Sequence, residues 1–118
     1  MKGKNEIKVI WPENLMQSVL ELKHKGYRLV QMCATRLSDG FELSYTFALE
    51  YDTLVLRLII ETETEISSIS TVYAPAFLYE NEMKDLFGVK IKLITIDYDG
   101  SLYRVAEKTP FKEANNNG

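Results

Sequence analysis

The sequence contains a single cysteine and a single histidine, and this shortage excludes several kinds of site. Because Cys33 has no partner in the chain, no internal disulfide can form, which favours a reducing compartment. One cysteine and one histidine cannot supply the four ligands of a structural zinc site or hold an iron–sulfur cluster. We therefore predict no metal and no cofactor in this chain. Cys33 is expected to be a small buried residue of a strand, and His24 a solvated residue in the last turn of a helix.

Long apolar runs are also missing. The longest, residues 54–60, is interrupted by Arg57, whereas a membrane-spanning helix needs about 20 apolar residues. The first residues lack the apolar core and the cleavage site of a signal peptide. The formal net charge of −3 gives no electrostatic reason to expect binding to nucleic acid or to an anionic membrane. We expect a cytoplasmic protein that reaches a membrane only through a partner.

Motifs of self-contained catalysis are absent as well. The sequence has no Walker loop, no dinucleotide-binding fingerprint, no nucleophile elbow and no HExxH motif. No catalytic residue is therefore predicted, and the chain is expected to work through its surface.

What is present predicts one α+β domain over residues 1–112, with a disordered tail at 113–118. We expect two layers, in which a mixed or antiparallel sheet with a central three-strand meander packs against two main helices. The predicted elements are a short strand at 7–10, a helix at 12–25 that stops at Gly26, strands at 27–37, 41–49 and 53–60, a loop or short helix at 61–70, a helix ending at Gly88 and a strand at 90–98. Turns are predicted at Ser38–Asp39–Gly40 and at Asp99–Gly100, and apolar residues alternate along 41–49 with a period of two. The predicted buried stripe of the first helix is Leu15, Met16, Val19 and Leu22.

The second helix contains the stretch YENEMKDLFGV, residues 79–89. On a helical wheel its apolar residues form one arc, bordered by Glu80 on one side and Glu82 on the other, with Asp85 farther round. The members of the arc are Tyr79, Met83, Leu86 and Phe87. Since the two glutamates do not converge, a metal-binding or proton-sharing pair is disfavoured. Two interpretations remain, an amphipathic helix with a solvated acidic edge and a ridge that contacts another protein.

The same stretch is similar to the signature of the 30-kilodalton subunit family of respiratory complex I. That signature has two glutamates separated by one residue, then an acid, two hydrophobic residues, a glycine and an aliphatic residue. The matching positions here are Glu80, Glu82, Asp85, Leu86, Phe87, Gly88 and Val89. Asn81 stands where the family has arginine, and Lys84 where it usually has an aromatic residue. The basic segments that follow in complex I members are missing, so the chain looks more like the small homologous subunit of Ech-type energy-converting nickel–iron (NiFe) hydrogenases.

The resemblance implies a non-catalytic subunit of the peripheral arm of a membrane-bound electron-transferring complex. Its implied partners are a large NiFe-hydrogenase-like subunit, related to the 49-kilodalton subunit of complex I, and an iron–sulfur (Fe–S) small subunit. The NiFe centre and the Fe–S clusters would lie in those partners, and the complex would hold the chain on the inner face of the cell membrane. The residues expected to contact a partner are Glu80, Glu82, Asp85, Phe87 and Gly88.

Two further interpretations come from other classes of protein. One is a stand-alone module that binds another protein or a small ligand. The other is a small enzyme with Glu82 or Asp85 as a base, which would need a concave pocket and a raised carboxyl pKa. In isolation, an uncovered docking face or an open strand edge could also pair with a second copy of the chain.

Overall fold

The computed structural model describes residues 3–92 together with residues 94, 95, 104 and 105. Its two helices are α1 (Leu15–Lys25) and α2 (Ala76–Phe87). Its strands are β1 (Asn5–Val9), β2 (Arg28–Arg36), β3 (Gly40–Leu49), β4 (Asp52–Glu61), β5 (Glu65–Ser67), β6 (Lys90–Lys92), β7 (Ile94–Thr95) and β8 (Arg104–Val105). The end of the predicted strand at 96–98, the turn predicted at Asp99 and Gly100, and the predicted tail at 113–118 lie outside the described residues.

A four-stranded mixed sheet forms one layer of the fold, in the order β1–β4–β3–β2. Strands β2, β3 and β4 are the predicted antiparallel meander, and β1 joins β4 in parallel. The first turn of the meander follows the predicted Ser38–Asp39–Gly40 sequence, where the Leu37 amide donates to the Gly40 carbonyl at 2.8 Å. The predicted α+β class, with a mixed sheet and two main helices, is confirmed.

The core lies between one face of this sheet and the helices. Alternate residues of β3 are buried, as its period of two predicts. The predicted stripe of α1 is buried against the sheet together with residues of α2. The core members from these elements are Leu15, Val19 and Leu22 of α1, Phe41, Leu43, Tyr45 and Phe47 of β3, and Ala76 and Met83 of α2.

The ends of α1 follow from local chemistry. Residues Pro12–Asn14 form a single 3-10 turn, and the α-helix begins after them at Leu15, three residues later than predicted. Gly26 ends the helix with φ 96°, a left-handed conformation that glycine adopts without the steric cost of a side chain. Lys23, His24 and Lys25 occupy the last turn, where positive charge interacts favourably with the helix dipole.

Two local predictions were wrong. The segment at 61–70 contains the strand β5, which pairs in parallel with β6 and buries Ile66 in the core. That pairing joins segments about 25 residues apart, so local pattern could not reveal it.

Cys33 is exposed, because β2 has a bulge at Val30, between Leu29 and Gln31. The extra residue turns Met32 towards the helices and Cys33 to the opposite face of the sheet.

Candidate functional site

Helix α2 carries the residues predicted to contact a partner. It starts after Pro75 and ends at Gly88, which has φ 76°. The Gly88 amide donates to the carbonyl of Lys84 at 3.0 Å, and the Val89 amide donates to that of Met83 at 3.4 Å. Gly88 therefore terminates the helix, and its contact with a partner stays a prediction.

The buried side of α2 differs from the predicted apolar arc. Ala76, Glu80 and Met83 point into the core, whereas Leu86 is 68% exposed. Tyr79 lies at the edge of the contact, where its hydroxyl donates to the Val30 carbonyl at 3.2 Å. The helix is thus rotated relative to the prediction so that a glutamate takes an inward position.

Glu80 is only 5% exposed, so the interpretation of a solvated acidic edge does not hold for this residue, and its contact with a partner stays a prediction. The Ser68 hydroxyl donates to Glu80 Oε1 at 2.6 Å, and the Ile69 amide donates to Oε2 at 2.7 Å. Burial raises the pKa of the Glu80 carboxyl above its ordinary value; these two hydrogen bonds and the nearby Lys84 ammonium only partly oppose that shift. Ser68 is buried too, and its hydroxyl lies 2.9 Å from that of Ser70. Glu80 therefore ties α2 to the segment at 68–70, inside the domain.

Phe87 also packs largely within the chain. It is half-buried, and its ring meets that of Phe41 edge to face, with 6.5 Å between the ring centroids and 78° between the planes. This geometry is a favourable aromatic arrangement that fixes the C-terminal turn of α2 on the sheet. Any partner contact of Phe87 would involve only its exposed part.

The opposite side of α2 is open to solvent and combines acids with leucines. Glu82 and Asp85 are exposed, Leu78 is 74% exposed, and Leu86 follows one position after Asp85. Residues 78, 82 and 85 recur at spacings of four and three, so they share one side of the helix. We call Leu78, Glu82, Asp85 and Leu86 the α2 outer face. Pro75 and Tyr79 join three of them around a shallow groove of about 600 Å³.

The two acids of the α2 outer face have no ionic partner in the described part of the chain, where the ion pairs are Arg57–Glu42 and Lys90–Glu63. In the same part, no group of three or more His, Cys, Asp or Glu side chains comes together in a way that could hold a metal ion. His24 is exposed in the last turn of α1, as predicted.

Comparison with known proteins identifies the family. The profile of the respiratory-chain NADH dehydrogenase 30 kDa subunit matches residues 9–93, which is most of the chain. The chain belongs to this family. A comparison with curated proteins finds no match.

A solved structure shows the same fold as this member of the 30 kDa subunit family. The matching chain comes from the structure of the membrane-bound sulfane sulfur reductase, an archaeal respiratory membrane complex. The two chains align with a TM-score of 0.68 and 15% sequence identity. The similarity covers 77% of this chain and 59% of that chain, so this chain spans about three-fifths of its length. Among the described residues, no helix is long and apolar enough to cross a membrane.

The family signature therefore divides into an inward and an outward part. Glu80, the first glutamate, forms hydrogen bonds within the domain, whereas Glu82 and Asp85 point to solvent. The sequence pattern did not predict that Ser68 and Ile69 donate hydrogen bonds to Glu80. Neither carries a motif, and they lie 12 and 11 residues before Glu80, so only the fold brings them to it.

Proposed function

We propose that the chain is a non-catalytic subunit of the peripheral arm of a membrane-bound electron-transferring complex, of the Ech-type hydrogenase or complex I type. It docks on and stabilises a large subunit related to those of NiFe hydrogenases, beside an Fe–S small subunit. These partners hold the NiFe centre and the Fe–S clusters, and the complex keeps the chain on the inner face of the cell membrane. Membership of the 30 kDa subunit family supports this proposal.

The observation that carries the docking role is the α2 outer face. Leu78 and Leu86 expose large apolar side chains next to Glu82 and Asp85, and both acids lack an ionic partner in the described chain. Exposed apolar groups beside unpaired charges are typical of an interface with an apolar centre and a polar rim. The face therefore fits a partner surface that presents arginine or lysine next to apolar residues.

The other predicted contact residues have a different role in this proposal. Glu80 and Phe87 fix α2 on the sheet, and Gly88 ends the helix. They determine how the outer face is presented, since a shift of α2 would move Glu82 and Asp85 together. The partner is recognised by the two exposed acids and the leucines.

The test is purification of the tagged full-length chain from gently solubilised native membranes, with attached proteins identified by mass spectrometry. We expect the large subunit and the Fe–S subunit to co-purify with the unaltered chain. Glu82→Arg and Asp85→Arg should each reduce recovery of the large subunit on the order of ten-fold, because like charges would then face each other.

The matched control is Glu13→Arg, an equal charge reversal at an exposed residue outside α2. It should leave recovery unchanged, and circular dichroism should show that all variants fold. Full recovery with both α2 variants would exclude docking through this face. Absence of any electron-transfer subunit, where other membrane complexes survive, would favour a stand-alone binding module instead.

A further inference from the structure

Strand β1 forms one edge of the four-stranded sheet, beyond its pairing with β4. All five of its residues are exposed. An edge strand has one row of backbone N–H and C=O groups without a ladder partner, and such a row can pair with another strand. In the described part of the chain, no strand covers this side of β1.

The side chains of β1 are arranged opposite to those of the other strands. Glu6 and Lys8 are in register with Leu54 and Leu56, whose side chains are buried under the helices. Its apolar residues face away from that core, with Ile7 57% and Val9 67% exposed. An edge strand that directs its charged side chains towards the helix layer and its apolar side chains outward buries little apolar surface within its own domain. This pattern is typical of a strand whose open edge and outward apolar side chains are covered by another chain.

The free backbone groups of β1 can be assigned from its bonds to β4. The Lys4 carbonyl accepts from the Thr53 amide at 2.7 Å, and the Ile10 amide donates to the Arg57 carbonyl at 2.9 Å. Backbone groups of successive residues point to opposite sides of a strand, so even-numbered residues face β4. The outward N–H and C=O groups therefore belong to residues 5, 7 and 9.

We propose that β1 pairs antiparallel with β1 of a second copy of this chain, about a two-fold axis at Ile7. Ile7 then exchanges both backbone hydrogen bonds with its counterpart, and Asn5 does the same with Val9 of the second copy. Glu6 faces Lys8 of the second copy, and Lys8 faces Glu6 of the second copy. These two charged pairs occupy non-hydrogen-bonded positions, where opposing side chains come closest. The product is a continuous eight-stranded sheet.

Charge complementarity selects this register. An axis at Glu6 would place two glutamates directly opposite and also bring Lys4 against Lys8. An axis at Lys8 would place two lysines opposite. Among these three, only the axis at Ile7 places Glu6 and Lys8 opposite each other and brings no like charges together; Lys4 then faces Ile10, and the two copies of Ile7 stack on the apolar face. Glu21 and Lys25 of α1 border the same side of β1 as Glu6 and Lys8, with opposite signs that leave the local charge balanced.

The experiment measures the mass of the full-length chain by sedimentation equilibrium over a concentration series. The variants are Lys8→Glu, Glu6→Lys and the double exchange Glu6→Lys/Lys8→Glu. Each single change turns both cross-strand pairs into like charges and should weaken the dimer roughly 10- to 100-fold. The double exchange restores both pairs and should restore the dimer. An equimolar mixture of the two single variants should form a heterodimer.

A chain that stays monomeric up to about 1 mM overturns the proposal and leaves a strand of another protein as the occupant of this edge. Single variants that dimerise as well as the unaltered chain overturn the register at Ile7. This proposal does not rest on the proposed function. Glu82→Arg should leave the dimer unchanged, and Lys8→Glu should leave co-purification of the large subunit unchanged, so failure of one proposal is distinguishable from failure of the other.

Discussion

The Ser68 hydroxyl and the Glu80 carboxylate form a buried hydrogen bond of 2.6 Å, and both side chains are almost fully removed from solvent. The second carboxylate oxygen accepts from the Ile69 amide, so both oxygens are used. A buried carboxylate is costly unless such donors surround it. The pair therefore connects the position of α2, and with it the α2 outer face, to the segment that follows β5.

Glu80→Ala should lower the free energy of unfolding by about 1–3 kcal/mol, because the Ile69 amide and the Ser68 hydroxyl lose a buried acceptor. Urea denaturation followed by circular dichroism measures the change. Glu82→Ala, two residues away on the exposed side, is the matched control and should stay within about 0.5 kcal/mol of the unaltered chain. Equal effects of the two substitutions would contradict the inward position of Glu80.

The raised pKa of Glu80 predicts a pH dependence of stability with a definite sign. Between its unfolded pKa, ordinarily 4.5, and its higher folded pKa, the folded chain holds a proton that the unfolded chain releases. The contribution of this group to stability is therefore most favourable below the unfolded pKa and declines as pH rises through the folded pKa. Denaturation of the unaltered chain and of Glu80→Gln at a series of pH values gives the difference directly. The unaltered chain should lose stability relative to the variant as pH rises; a relative loss on acidification would show that the hydrogen bonds outweigh burial.

The sequence predicted those parts of the fold that depend on local pattern. Alternation along β3 marked the meander, and Gly26 and Gly88 marked the ends of two helices. The rotation of α2 was not predictable, because a wheel ranks Glu80 as polar and has no information about donors at residues 68 and 69. The parallel pairing of β1 with β4 likewise depends on residues about 48 positions apart.

The candidate site was found by resemblance more than by pattern. The signature pointed to α2, and Glu82 and Asp85 are exposed on that helix. The predicted arc was wrong at both of its edges, since Leu86 is exposed and Glu80 is buried. Both errors have one cause, which is that the tertiary hydrogen bonds of Glu80 set the rotation of the helix.

Tyr45 and Tyr73 offer a paired test of buried hydroxyl groups. The Tyr45 hydroxyl is fully buried and has no hydrogen-bond partner among the described residues, whereas the Tyr73 hydroxyl donates to the Tyr27 carbonyl at 2.7 Å. Tyr45→Phe should therefore be neutral or stabilising, because it removes an unsatisfied polar atom. Tyr73→Phe should cost about 1 kcal/mol through loss of its bond. The reverse order in urea denaturation would show that the Tyr45 hydroxyl has a partner in solution.

Two glycines should respond differently to replacement by alanine. At Gly88 an added Cβ would meet no atom within 4 Å, so the cost arises from φ 76° alone and should be about 1–2 kcal/mol. At Gly40 the Cβ would lie 1.9 Å from the Ile60 carbonyl oxygen, which the β3–β4 ladder holds in place. Gly40→Ala should thus be the more destabilising change in thermal unfolding. Gly88→Asn should recover part of the loss, because asparagine tolerates the left-handed conformation better than alanine.

The bulge at Val30 makes a prediction about the single thiol. Because it turns Cys33 away from the helices, the thiol should react with a disulfide reagent in the folded chain without denaturant. The rate should approach that of the denatured chain at the same pH, since exposure and not unfolding would control access. Deleting Val30 should remove only the extra residue and leave Met32 opposite Tyr45 and Cys33 opposite Ser44, so Cys33 should stay on the outer face and keep its labelling rate. Slow labelling of the unaltered chain, at a rate that follows global unfolding, would instead place Cys33 in the core.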